Sequence, residues 1–377
     1  MARFGGVCLD RQRFVQQGDV SALRRWHDWW VAGRASPRGP GLWEAVDALI
    51  DRAPSEDDLR GHRLEVLAAR RYRALGRPVP PDFVLQERLA AIASLTAPAV
   101  LELVRAAYHG PAMVLKGPEI AARYPDPALR VYGDIDLLVP DAEEAHQAML
   151  AAGFKLVGDP ALYVDIHHLR PLLAAGVPLA VEIHSRPKWL DPLTPPTAPM
   201  LFESAQPSAT GVPGMLAPSP AQHAVLLAVH SWAHEPLRRI RDMIDVAVIA
   251  SSADPAEIDE LARAWGVRRL WRTTITAVDA LLGEERKPWA LRIWAQNLDR
   301  TRDRTVLEFH LQRWLSDFWA MPSPAAARRL PRTLMAEIGP EGNESWRDKL
   351  SRTALALKDA RRRRSQHDRE LQDRSQR

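Results

Sequence analysis

The chain has 377 residues, of which 46% are hydrophobic, 26% charged and 7% aromatic, with 13 Trp. That composition builds a sizeable core and excludes an intrinsically disordered protein, and the length allows two or three domains. The 51 Lys+Arg exceed the 47 Asp+Glu by only four, a surplus too small to mark a dedicated nucleic-acid-binding protein.

In chain order, Met1 to Arg13 lacks an apolar signal-like run, because Asp10, Arg11 and Arg13 interrupt it. Cys8 is the lone cysteine; it cannot form an intrachain disulfide or a multi-cysteine zinc site, and it fits a reducing cytoplasm. Leu23, Trp26 and Trp30, with Trp29 beside them, follow the i, i+3, i+7 stripe of an amphipathic helix over 20–31 and read as packing surface. The pattern repeats over 43–50 and 59–75, and 83–109 reads as a helix broken near Pro98.

After His109 the period changes. Residues 112–115 are a short apolar run ending at Lys116-Gly117, and Pro118 suits the first turn of a helix. Tyr124-Pro125-Asp126-Pro127 is a turn, and 135–139 is strand-like between Gly133 and Pro140. Asp141 has the position of an N-cap with Glu144 three residues on, and Gly153 that of a C′ glycine. Strands are expected at 154–157, 162–166 and 177–183, followed by an irregular Pro/Ser/Thr-rich connection over 185–220. Helices are expected at 221–232, 237–250, 255–265, 267–282, around Leu291, and at 307–319 and 346–357. The stretch 221–233 reads as the most apolar and is too short to span a bilayer, so a soluble cytoplasmic protein with no membrane partner is expected. The end, 361–377, holds seven Arg against Asp368, Glu370 and Asp373, a surplus equal to that of the whole chain.

The expected fold class is α+β: a small mixed sheet with helices, flanked by an N-terminal helical segment and a C-terminal helical domain. The expected divisions are an N-terminal segment over 1–95, a core over 96–205, a helical domain over 206–358 and a basic tail over 359–377.

Chemistry concentrates between Val114 and Val139. Asp134 and Asp136 are two apart on a presumed strand, so both carboxylates point to one face. Such a pair repels unless a cation lies between, and oxygen-rich sites suit Mg²⁺; an exposed strand face produces the same pattern. Lys116-Gly117 joins a strand to a helix start, where free N–H groups favour an anion, although an ordinary turn would read the same. Glu182 interrupts an apolar strand and shares a face with His184; either an exposed face or a metal accounts for the acid, and packing or hydrogen bonding for the histidine. A competing set places His230 and His234 one helical turn apart, followed by Arg241-Asp242 and Asp245, residue types that serve metal-dependent phosphohydrolases.

Taken together, Leu115-Lys116-Gly117, Tyr124 to Pro127, Arg130, Asp134 to Val139 and Glu182-Ile183-His184 make the chain similar to nucleotidyltransferases of the DNA polymerase β superfamily. The resemblance is closest to a bacterial branch whose motifs run LKG, YPDP, R, DIDLLV and acidic-x-His, and it covers about 111–185. It implies a polymerase-β-like core and Mg²⁺-dependent transfer of an NMP from an NTP to a hydroxyl on a small molecule, peptide or protein. It further implies two Mg²⁺ ions, with Mn²⁺ as a substitute, held by Asp134, Asp136 and Glu182. Lys116, Gly117 and Arg130 would bind the nucleotide phosphates, and Glu182 could serve as general base. Later helices would wall the pocket, with Asp245 near the acceptor. The chain departs from the wider superfamily in carrying Lys-Gly in place of Gly-Ser, and Glu182 where aspartate is commoner. A non-catalytic nucleotide- or partner-binding relative is the other reading of the same motifs.

Overall fold

The computed structural model describes residues 41–163, 166–283, 287–340 and 345–361. The Trp-bearing helix expected at 20–31 and the tail beyond Arg361 lie outside the described residues.

Three short helices open the described chain: α1 (Leu42–Asp51), α2 (Glu56–Gly61) and α3 (Glu65–Ala74). The single helix expected over 59–75 is therefore two. The chain reverses between them at Arg63, whose φ of 55° lies in the left-handed region, and Ser55 starts α2 by accepting from the Asp58 N–H. Helix α4 (Pro81–Ala107) does not break at Pro98 but runs through it. A proline inside a helix costs about 3 kcal/mol; here Ala93, Ala97, Val100, Leu101 and Val104 are buried on both sides of it, and their packing holds the helix together. By length and composition α4 is apolar enough to cross a membrane, which the reading of 221–233 as the most apolar stretch did not anticipate. One face packs on the sheet, while Leu85, Leu89, Ile92 and Leu95 are exposed.

The architecture is α+β. Strands β1 (Ala112–Val114), β2 (Asp134–Leu138), β3 (Lys155–Leu156), β4 (Leu172–Leu173), β5 (Ala180–His184), β6 (Gln206–Pro207) and β7 (Met215–Ala217) form one sheet in the order β3-β4-β5-β2-β1-β7-β6. The β2–β5 and β1–β7 pairs are parallel and the other pairs antiparallel. Helix α5 (Pro118–Ala121) follows β1, and α6 (Ala142–Ala151) follows β2, capped by Asp141 accepting from the Glu144 N–H. The period of two divides the central strands cleanly. Ile135, Leu137, Val181 and Ile183 are fully buried among the residues of α4 and α6. Asp134, Asp136, Glu182 and His184, at the alternate positions, occupy the opposite face.

Two expectations need correction. Leu162 and Tyr163 belong to a 3-10 turn (Pro160–Tyr163) begun where Asp159 accepts from the Ala161 N–H, and the strand comes later, as β4. The connection over 185–220 contains α7 (Ala198–Glu203) and the β6–β7 hairpin, so the sheet extends past residue 205. A buried glutamate organises that hairpin: Glu119 of α5 accepts from Ser208 Oγ at 2.6 Å and from the Ala209 N–H at 2.8 Å, and pairs with Arg123 at 2.8 Å.

Helices α8 (Pro220–His234), α9 (Ile240–Ala250), α10 (Pro255–Ala264) and α11 (Arg268–Leu282) follow, and α8 opens on a Ser219/Gln222 capping box. The rest are α12 (Trp289–Ile293), α13 (Gln296–Asp299), α14 (Val306–Ala320), α15 (Ser323–Ile338) and α16 (Trp346–Arg361). Helices α13 and α15 were not anticipated; α15 contains Pro331, a residue that reads as a breaker. Trp232 and Trp294 meet edge to face at 5.9 Å in this part, and the Trp232 indole donates to Thr274 Oγ1 at 2.8 Å.

Glu119→Ala would leave the Ala209 N–H unsatisfied and the Ser208 hydroxyl with only Thr210 Oγ1 as a partner, and is expected to destabilise the protein by about 1–3 kcal/mol. Urea midpoints, with faster amide exchange over 206–217, would measure it.

Candidate functional site

Sheet register builds the site. In the parallel β2–β5 pair, Asp136 lies opposite Glu182 and Leu138 opposite His184. Two acids are thus held face to face on neighbouring strands, with Asp134 one step back on the same face. Burial raises the Asp134 carboxyl, and repulsion from Asp136 adds to it. Burial pushes Asp136 the same way, but the charge of Lys116 and the approach of His184 outweigh it and hold Asp136 well below the usual carboxylate range. Glu182 is pushed up to about 7, first by burial and then by repulsion from Asp136 and Asp134.

Several atoms in this cluster lack partners. His184 Nε2 lies 3.1 Å from Asp136 Oδ1 but out of hydrogen-bond alignment. Asp136 Oδ2 and both ring nitrogens of His184 are buried and have no hydrogen-bond partner among the described residues. Asp136, Glu182 and His184 each offer one ligand atom, all within 4.8 Å of one another. Ligands about 2.1 Å from one ion, at right angles, stand about 3.0 Å apart; the Asp136–His184 spacing matches that, so these residues fit a divalent cation. Of the expected ligands, Asp136 and Glu182 stand in the tightest group, Asp134 stands beside it, and His184 takes the third place.

Lys116 comes to the site on a rigid turn. The Leu115 N–H donates to the Asp136 carbonyl at 2.9 Å, continuing the β1–β2 pairing. Gly117 has φ +66°, and a Cβ there would stand 2.4 Å from the Asp134 carbonyl oxygen, so only glycine fits. Helix α8 braces the turn from above. His223 Nε2 donates to the Leu115 carbonyl at 2.7 Å, and Lys116 Nζ donates to His230 Nε2 at 2.8 Å. Burial and the neighbouring Lys116 charge hold His230 well below its ordinary pKa, which leaves the imidazole neutral and able to accept.

Arg130 is 3% exposed and grips Asp245 with two donors at 2.8 Å each; a third donates to the Gly117 carbonyl at 3.2 Å. Tyr124 also donates to Asp245, at 2.8 Å. The guanidinium is thus spent on anchoring the Lys116-Gly117 turn to α9, and Asp245 is held in that same network. The competing residues His230, His234, Arg241, Asp242 and Asp245 do line one cleft beside Lys116, the two imidazole rings 4.7 Å apart. They form no group at metal-ligand spacing among the described residues: His230 engages Lys116, His234 lies 2.8 Å from Lys188 Nζ, and Asp245 engages Arg130.

Sequence reasoning missed two features. Lys188, between the sheet and α8, is pushed down to about 8 by burial and by repulsion from Lys116. A cleft of about 150 Å³ beside Lys116 is lined by Arg238, Arg239 and Arg241 at the start of α9. Burial and the charges of Arg63 and Arg238 push Arg239 down to about 10, and the Nε atoms of Arg239 and Arg241 are buried without hydrogen-bond partners. Leu237-Arg238-Arg239-Ile240-Arg241 at a helix start was the available signal, an arginine run where the helix dipole already favours an anion.

Two outcomes are expected. Asp245→Ala strands a buried guanidinium and should destabilise by about 3–5 kcal/mol, read from urea midpoints. Glu182 takes its proton at about 7 in the folded chain against an ordinary 4.5, so the fold binds more protons than the unfolded chain between those values. The stability contribution of this group therefore falls as pH rises from about 4.5 to about 7. In EDTA, Glu182→Gln should flatten the slope of urea midpoint against pH; an unchanged slope would contradict the assigned shift.

No curated protein matches the chain. Residues 59–283 match the family described as uncharacterised nucleotidyltransferase, a span that takes in β1 to β7, the acid cluster, the Lys116 turn and the arginine cleft. The chain belongs to that nucleotidyltransferase family.

Proposed function

We propose that this protein transfers a nucleoside monophosphate from an NTP to a hydroxyl on a small-molecule, peptide or protein acceptor, in the cytoplasm and by a two-metal mechanism of the polymerase-β kind. The observation that carries the reading is the opposition of Asp136 and Glu182 across the β2–β5 seam, beside Lys116 and the arginine cleft. Asp134, Asp136 and Glu182 are the residues assigned to hold Mg²⁺ or Mn²⁺. When bound, the divalent ions supply phosphate charge neutralisation and activation of the attacking oxygen.

The chain's own groups divide the remaining work. Lys116, with its ammonium steadied by His230, and the backbone at Gly117 receive the triphosphate. Arg239 and Arg241 offer it their unpartnered Nε donors at the positive end of α9. Arg130 keeps the turn in place through Gly117 and is a positioning residue. The acceptor oxygen forms a bond to the α-phosphorus as the bond from that phosphorus to the bridging oxygen breaks, releasing pyrophosphate. The hydroxyl proton passes to the Glu182 carboxylate, which acts as general base. The small overall charge surplus supports an acceptor other than nucleic acid.

Asp136→Asn is expected to keep the fold and lower label transfer from an α-radiolabelled NTP by about 1,000-fold or more. Circular dichroism would verify the fold. Wild-type transfer by this variant would overturn the reading.

A further inference from the structure

The face that carries the acids also carries imidazoles. Residues 167–169 run beside the end of β5: the Leu169 N–H donates to the Ile183 carbonyl at 2.9 Å, and His168 bridges His184. The rings of His167, His168 and His184 consequently stand within 5.2 Å of one another, centroid to centroid. His168 Nδ1 lies 2.8 Å from its neighbour's carbonyl, that of Leu169. A carbonyl only accepts, so Nδ1 carries the hydrogen and the neutral ring presents a bare lone pair at Nε2. That lone pair faces Glu182 Oε2 at 3.7 Å, and His184 Nε2 faces the same oxygen at 3.8 Å. Electron-rich atoms gathered in this way, with both His184 nitrogens and Asp136 Oδ2 unpartnered, call for a cation that accepts nitrogen as well as oxygen.

We propose that His184, assisted by His168, makes this centre a mixed nitrogen–oxygen site that selects a first-row transition-metal dication over Mg²⁺. The proposal rests on the nucleotidyl-transfer reading for the purpose of the site and adds which ion it takes. Mg²⁺ demands near-octahedral oxygen ligation and dehydrates reluctantly, whereas imidazole favours the later divalent ions in the series. The His184 imidazole grouped with Asp136 and Glu182, with His168 Nε2 3.7 Å from Glu182 Oε2, is a donor set for the latter class. Asp134, one step back on β2, stays an all-oxygen ligand for a second ion.

Co²⁺ is the probe, because imidazole coordination is visible in its d–d absorption. Titration of the metal-free protein should give a bound-Co²⁺ spectrum with nitrogen ligation, and Mg²⁺ should compete at least tenfold more weakly. His184→Ala should lower Co²⁺ affinity at least tenfold and change the spectrum, His168→Ala should do so to a smaller extent, and His184→Asp should narrow the preference over Mg²⁺. Circular dichroism on each variant separates ligand loss from unfolding. Equal competition by Mg²⁺, or an unchanged spectrum in folded His184→Ala, overturns the proposal. NTP label transfer measured in parallel separates the two ideas: transfer with Mg²⁺ and no histidine dependence leaves the enzymatic reading standing alone. A histidine-dependent Co²⁺ spectrum with no transfer from any NTP leaves the metal site standing without that reading.

Discussion

The parallel register of β2 on β5 is the constraint on which everything else depends. It sets Asp136 opposite Glu182, an arrangement of like charges that opposes strand pairing. What enforces it is apolar. Ile135, Leu137, Val181 and Ile183 are fully buried on the other face, each contributing about 1.5–3 kcal/mol. A slip by one residue would exchange those side chains for the acids and drive carboxylates into the core beneath α4 and α6. The hydrophobic effect on one side of the sheet is therefore what positions charge on the other. The repulsion it imposes is offset by Lys116 and answered by a site suited to a cation.

The helical part completes this arrangement from above. Helix α8 supplies His223 to the Leu115 carbonyl and His230 to Lys116, and α9 supplies Asp245 to Arg130. None of these contacts is with the acids, yet each fixes the turn that brings positive charge to them. A neutral imidazole beside an ammonium group leaves the ammonium's charge directed at the carboxylates, while burial suppresses any proton on the ring. The helix that anchors Arg130 through Asp245, at its middle, carries the arginines of the cleft at its start. Anchoring and anion attraction are thus two faces of one short segment.

Local signals in the sequence carried the central elements well. The alternation in Asp134-Ile135-Asp136 and Glu182-Ile183-His184 specified which face each residue takes, because a strand has only two faces. Asp141 and Gly153 marked the ends of α6 by their chemistry. Signals that depend on distant partners were illegible. Strands β6 and β7, two and three residues long, have no period to read and exist because Glu119 holds the Ser208–Ala209 turn. Helix α4 continues through Pro98 because tertiary packing overrides a local preference. The fate of Arg130 could not be read either, since an arginine beside a phosphate-type turn looks the same whether it faces a ligand or a buried Asp245 115 positions away. The part played by His184 emerges only when its unpartnered nitrogens are seen next to an unpartnered carboxylate oxygen.

Every strand of the sheet is complete by Ala217, and with it every acid assigned to the cation site. By inventory of side chains, a chain ending there would look whole. Its Lys116 would have no imidazole beside it, its Arg130 no carboxylate to grip, and the Leu115 carbonyl no histidine donor. The strands alone are therefore not a portable catalytic cassette. The first half of the described chain carries the acid cluster and the Lys116 turn, and the second half carries the groups that hold that turn in position together with the arginines of the cleft, so a change in either half is felt in the other.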